Sequence, residues 1–387
     1  MLNALTTPDD TGFTHAAPAG RSAVAYTHDE RGFASAHERA TRLEVARRLA
    51  ALKGIFFGGE RTRHGGSGEP LYYVPGDTLV GELEARRLGI SRRDDLYGGV
   101  VPYAFVATKA ITHPLVHDAA AAPPGWSNEF PRRVAASVLD GWTAFSTDDA
   151  LAAGRRLLAR GPVRVKSVCA TGGRGQWVAQ TAAELQRGLE MTPPEEIATQ
   201  GLVLEENLED VATYSVGQVW VGDLVATYHG TQRLTPNGQG ELVYGGSALT
   251  VARGEFPALL ALKVPPAVRM AVEQARVYHA AALDCFPGMI LSRINYDIAR
   301  GRDARGCIRS GVLEQSWRVG GATGAEIAAL ERFRADPDCH VVQAAGYEVF
   351  GDSAAPPPAA TVYFRGNDPK VGPLTKYTLI ETHVDTR

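Results

Sequence analysis

Cysteine is scarce: the 387-residue chain has only Cys169, Cys285, Cys307 and Cys339. Their spacing fits neither a zinc site nor a disulfide framework, which points to a reducing compartment. No apolar run approaches the ~18 residues of a membrane span. The N-terminal stretch lacks a basic segment followed by an apolar run, so no signal peptide is expected. A soluble cytoplasmic protein with no membrane partner is the expectation. No basic block stands out and the formal net charge is −3, which argues against bulk electrostatic binding to nucleic acid. Several catalytic signatures are also missing. There is no G-x-S-x-G elbow, no readable Ser-His-Asp arrangement, and no H-R-D or D-F-G. His113, His117, His279, His340 and His383 show no metal-ligand spacing.

What is present describes a layered α/β chain. Its 44% hydrophobic and 21% charged residues are ordinary for globular domains, and the length suits two or three of them. Residues 1–21 are rich in Thr, Ala, Pro, Gly and Asp without periodicity and read as a loose tail. Residues 22–115 alternate short apolar strands with helices, including one from Ala36 to Lys53 closed by Gly54. That pattern predicts an open parallel α/β domain. Arg61 to Glu69 reads as a loop. Residues 116–203 form a smaller unit, in which Ser146 or Thr147 caps a helix that Gly161-Pro162 breaks. Residues 204–387 carry a hairpin turn at Gly222-Asp223, a helix over 268–283, and late strands over 288–300 and 310–318. A helix from Thr323 and two short terminal strands follow.

The most informative stretch is Gly161-Pro-Val-Arg-Val-Lys-Ser-Val-Cys-Ala-Thr-Gly-Gly-Arg-Gly-Gln176. An apolar strand carries one lysine, Lys166, and a loop with Gly172, Gly173, Arg174 and Gly175 follows. Glycines let backbone N–H groups turn toward an anion, and Lys and Arg add positive charge. The order excludes a P-loop, whose glycines precede its lysine. A dinucleotide fingerprint needs G-x-G-x-x-G between strand and helix, which this loop lacks. A nucleotide phosphate site is the expectation; a hairpin turn with an ordinary lysine is the alternative.

The strand lysine, the glycine loop after it, the Glu205-Glu-Asn-Leu208 stretch and two late polar strands together resemble the ATP-grasp superfamily of ATP-dependent carboxylate ligases. The resemblance covers roughly residues 105–330. It implies ATP and Mg²⁺ as cofactors, with Mn²⁺ as a substitute. It implies that Lys109 and Lys166 touch the phosphates while Gly172, Gly173, Arg174 and Gly175 close over them. Glu205, Glu206, Asn207 and Leu208 would form the hinge beside adenine, with Glu209 or Asp210 at the ribose. The superfamily's late strands carry Arg-x-Asp and Glu-x-Asn. Here they read Arg293-Ile-Asn-Tyr-Asp297 and Glu314-Gln-Ser-Trp-Arg318. Glu314 matches, Asn295 and Ser316 depart, and Asp297 lies on the same strand face as Asn295. Glu314, Asn295 and Asp297 are therefore the candidate metal ligands.

The implied reaction joins a small-molecule carboxylate to an amine or similar nucleophile through an acylphosphate. Arg293 or Arg318 would steady the acylphosphate, Arg174 would offset phosphate charge, and His229 and Arg233 would hold the acceptor carboxylate. A plain salt bridge to Glu314 or Asp297 is the alternative for Arg293 and Arg318. A homodimer is expected by analogy. A phosphotransferase of the same fold, a nucleotide-binding regulator with a weakened metal site, and a non-nucleotide α/β protein are the other classes.

Overall fold

The computed structural model describes residues 20–28, 32–63, 70–118, 120–169, 175–351 and 355–383. The expected phosphate-loop residues Gly172, Gly173 and Arg174 lie outside the described residues.

The N-terminal unit is built on strand Ser22–Thr27, whose central residues are all buried. It is the middle of a three-stranded parallel sheet, flanked by Phe56–Thr62 and Leu71–Pro75. Helix Ala36–Lys53 makes the crossover between the first two strands. Ser35 caps its start, its hydroxyl accepting from the Glu38 amide, and Gly54 closes it at φ +64°, where a side chain would be strained. The strand over 56–62 runs into the segment expected to be a loop. Gly58-Gly-Glu-Arg-Thr62 has no apolar alternation to mark it; parallel pairing to Ser22–Thr27 defines it instead. Gly99–Val101 then pairs with Leu79–Val80 and with the distant Ile290–Leu291.

The small unit is a four-stranded antiparallel sheet in the order Gly141–Ala144, Leu202–Glu206, Val163–Ser167, Gln176–Ala179. Its strand Leu202–Glu206 runs past the expected boundary at 203. Strand alternation sends Val163, Val165, Leu202 and Leu204 into a core with Ala150, Ala153, Leu157 and Leu185 from two covering helices. Arg164, Lys166, Val203 and Glu205 take the other face. Ser146 is the cap of the helix Thr147–Leu158, accepting from the Asp149 amide at 3.1 Å.

The large unit is an eight-stranded antiparallel sheet. In order across it run Ile308–Ser316, Arg293–Arg302, Glu209–Val221, Leu224–Pro236, Leu242–Arg253, Val341–Phe350, Gly372–His383 and Thr361–Asp368. Helix Pro266–Cys285 packs on one face through Ala271, Val272 and Tyr278 against Ile294 and Tyr296. Helix Thr323–Ala335 packs on the other, where Ile327, Leu330 and Phe333 share a core with Leu49 of the N-terminal helix and Val219 of the sheet. That shared core joins the N-terminal unit to the large sheet. Among the described residues no helix is long and apolar enough to cross a membrane.

Candidate functional site

A cleft of about 650 Å³ opens between the polar face of the small sheet and the first strands of the large one. Lys109, Lys166, Glu205, Glu206, Asp297 and Glu314 all line it. The sequence reading spread these residues over two hundred positions; the fold brings them to one place.

On the small-sheet side, Lys166 and Glu205 lie on paired strands, and Glu205 is directly opposite Arg164. The ammonium reaches diagonally to form an ion pair with Glu205 Oε1. Glu205 Oε2 meets His113 Nε2 at 3.2 Å. Both ends of the Lys166–Glu205 pair are buried, with Lys166 3% and Glu205 1% exposed. Burial alone would raise the Glu205 pKa, but the Lys166 charge and the His113 hydrogen bond outweigh it and hold the carboxyl down at about 2. Gly141 permits this arrangement: a Cβ there would sit 2.8 Å from His113 Cε1.

Lys109 begins the short 3-10 helix Lys109–Thr112, and His113 ends it. One helical turn therefore supplies a basic side chain toward each wall of the cleft. Lys109 Nζ pairs with Glu314 Oε2 at 2.9 Å. The side chain of Gln315, a residue not singled out from sequence, fixes this turn. Its amide donates to the carbonyls of Val106 and Thr108, and its carbonyl accepts from Tyr278 Oη.

On the large-sheet side, Asp297 and Glu314 are cross-strand partners, as are Asn295 and Ser316. The Asp297 pKa is raised, by burial and then by the Glu314 charge opposite, against hydrogen bonds from Asn295, Ser215 and Gln232. Two facing carboxylates, one of them resisting ionisation, make a donor set suited to a hard divalent cation. No cluster of three or more His, Cys, Asp or Glu forms among the described residues, so ligand oxygens would have to complete such a site. Asn295 is tied at both ends of its amide: Nδ2 donates to Asp297 at 3.1 Å, and Oδ1 lies 2.8 Å from Tyr228 Oη. It positions Asp297 rather than offering a free ligand atom.

Other expected residues lie elsewhere. Arg293 is 1% exposed and grips Glu326, itself fully buried, at 2.7 Å. Arg293 Nη1 donates to the carbonyls of Ser316 and Arg318. Tyr97 and Tyr228 both donate to the same Glu326 carboxylate. Arg293 is thus the centre of a buried polar hub, and its expected acylphosphate role gives way to a structural one, because its donors are taken. Nor does it pair with Glu314 or Asp297. Arg318 is outside the 650 Å³ cleft but lines three smaller cavities next to it. Leu208 lines the cleft. Asn207 instead accepts from Arg164 through Oδ1, and its own amide donates to the Pro162 carbonyl.

The Asp210 carboxylate is exposed and lies 4.0 Å from Arg302; Val211 and Thr213 reach the cleft from that strand instead. His229 and Arg233 fall on the sheet face away from the cleft. Alternation puts Gln232 and Leu234 in it, and Arg233 lies over the Tyr347 ring at 4.1 Å. Gly175, at φ +64°, is the described end of the glycine loop, and its carbonyl accepts from the Ser167 amide.

The comparisons with known proteins agree with this architecture. A family described as "Protein of unknown function (DUF3182)" matches residues 25–378, and the chain belongs to it. No curated protein matches. Among solved structures, one similar fold is the biotin carboxylase domain dimer of Hydrogenobacter thermophilus 2-oxoglutarate carboxylase, complexed with MgADP, ADP and bicarbonate. The TM-score is 0.51 at 14% identity, over 92% of this chain and 86% of that one. Another is N5-carboxyaminoimidazole synthetase from Staphylococcus aureus complexed with ADP. The TM-score is 0.50 at 10% identity, over 94% of each chain. The chain has an ATP-grasp fold.

Proposed function

We propose that this member of the DUF3182 family is an ATP-dependent ligase that activates a small-molecule carboxylate as an acylphosphate. An amine or similar nucleophile would then displace phosphate, and ADP would leave. The observation that carries this reading is the cleft itself, where Lys109, Lys166, Asp297 and Glu314 line one space of about 650 Å³. Phosphoryl transfer asks little covalent chemistry of a protein; it asks for alignment and neutralised charge. Lys109 and Lys166, already held by Glu314 and Glu205, need little reorganisation to face a polyphosphate. Asp297 and Glu314 would hold Mg²⁺, which supplies charge neutralisation on phosphate oxygens. The apolar lining residues Leu139, Leu208, Val211 and Ala299 suit the face of a base. Gln176, which opens the edge strand of the small sheet, also lines the cleft beside Lys166.

The test is thermal unfolding with and without MgATP, on wild type and Lys166→Ala. Ligand at ~100 times its Kd stabilises by ~2.7 kcal/mol. A shift in wild type that is absent from the variant is expected, followed by ADP release with the right carboxylate and amine. No shift in either protein, with candidate carboxylates also present, would refute the nucleotide reading. ATP binding without ADP release under any acceptor would favour a regulatory protein, and a stable phosphorylated product would favour a phosphotransferase.

A further inference from the structure

Among the described residues, Arg42 has no hydrogen-bond or ion-pair partner. Arg42 sits on the N-terminal helix Ala36–Lys53, facing a cavity of about 170 Å³ between that helix and the large sheet. Arg42 is half-buried, and a cation drawn partly out of water is normally paired, because desolvating an unpaired charge is costly. Its pKa is pushed down to about 10, first by burial and then by the neighbouring Arg318 charge. Arg318 lines the same cavity, and its only ion pair among the described residues is to Asp77, at 3.5 Å on the exposed rim. The remaining charges do not neutralise the two arginines. Lys376 and Glu348 pair with each other at 2.8 Å, burial lowers the His37 pKa, and Glu38, one turn earlier on the helix, forms no ion pair with Arg42.

A second feature has the same sign. The helix Thr323–Ala335 starts at this cavity, after Gly320 and Gly321, and its N-cap Ala322 has no side chain to cap the first turn. The N-terminal end of a helix favours an anion through its free amides and its dipole. A second cavity lies between this one and the cleft. Arg318, Gly320 and Gly321 line both the first cavity and this second one, of about 340 Å³, which reaches Asp297 and Glu314.

We infer that Arg42, Arg318 and the start of the Thr323–Ala335 helix form the seat of a second anionic group of the substrate, a carboxylate or a phosphate. This rests on the ligase reading for its meaning: the substrate would be a compound with two anionic ends. One is the carboxylate activated beside Asp297 and Glu314. The other is held by Arg42 through the planar fork that suits either oxyanion.

The experiment uses inorganic phosphate and succinate as separate probes, each against chloride at matched ionic strength, without nucleotide. Melting shifts and titration calorimetry are read on wild type and Arg42→Gln. At least one probe should stabilise wild type, and the variant should bind it ~10–100-fold more weakly. Whichever probe binds identifies the oxyanion. The MgATP shift should be the same in both proteins. Should the variant fail to fold, phenylglyoxal labelling of wild type, read by mass spectrometry, replaces it: the bound probe should protect Arg42. The inference is overturned if neither probe stabilises wild type, if the variant binds equally well, or if Arg42 stays unprotected. A missing MgATP shift with Arg42-dependent anion binding would sink the ligase reading and leave the seat standing.

Discussion

Replacing Glu205 with Gln removes the carboxylate that holds both Lys166 and His113 while keeping the side chain's size. Its effect on stability can be worked from the protonation equilibrium. The Glu205 pKa falls from 4.5 to about 2 in the folded protein, and each unit of depression is worth about 1.4 kcal/mol, so ionised Glu205 contributes roughly 3 kcal/mol. The folded pKa is depressed, so that contribution is complete above pH 4.5 and is lost as pH falls from about 4.5 toward 2. The variant adds the cost of a buried Lys166 without its partner, and removing one member of a buried pair typically costs ~3–5 kcal/mol. Both routes give a loss of about 3 kcal/mol or more at pH 7. Urea unfolding followed by tryptophan fluorescence suits the measurement, because Trp142 and Trp177 lie on strands of the small sheet. The gap between wild type and variant should be largest near neutrality and should shrink below pH 4.5. A gap under ~1 kcal/mol at pH 7, or one that stays constant between pH 6 and pH 3, would refute the reasoning.

Glu326→Gln should destabilise the protein by ~3–5 kcal/mol, because Arg293 is then buried without a counter-charge; an unchanged melting temperature would contradict the hub. Glu314→Gln should lower turnover by at least ~10²-fold, the usual cost of losing one preorganised charge contact. Near-normal turnover in the purified variant would remove Glu314 from the metal site. Gly54→Ala should cost about 1 kcal/mol in a urea melt: no neighbour lies within 4 Å of the added Cβ, so the loss comes from φ +64° alone.

The parts legible in the sequence were those whose local signal agrees with their tertiary setting. The helix at 36–53 has periodic apolar residues and a terminal glycine, and it forms as expected. Lys166 announces itself as a lone cation in a Val-rich strand. Other parts had no local signal. Val341–Phe350 is a full strand, yet Gln343-Ala-Ala-Gly-Tyr347 has too little β propensity to be noticed; its pairing with the strands over 242–253 and 372–383 makes it one. Glu326 reads as a surface residue in the first turn of a helix, and only packing against the large sheet makes it the counter-ion of Arg293. His229 and Arg233 were drawn to the site by their chemistry. Alternation decides against them, and choosing between the faces of that strand required knowing which side the cleft is on.

The hub also explains why the carboxylate stands at 297 and not at 295. Tyr228 Oη lies between Asn295 Oδ1 at 2.8 Å and Glu326 Oε1 at 2.6 Å. An aspartate at 295 would add a third carboxylate between Glu326 and Asp297, and it could not donate to Asp297 as the Asn295 amide does. The buried charge would then exceed what Arg293 alone offsets. Moving the acidic group two residues along the strand keeps it on the same face, opposite Glu314, while a neutral amide links it to the hub. Asn295→Asp should therefore lower stability at neutral pH and regain part of the loss as pH falls and the added carboxyl is protonated. A variant as stable as wild type at pH 7 would mean that the hub places no demand on residue 295.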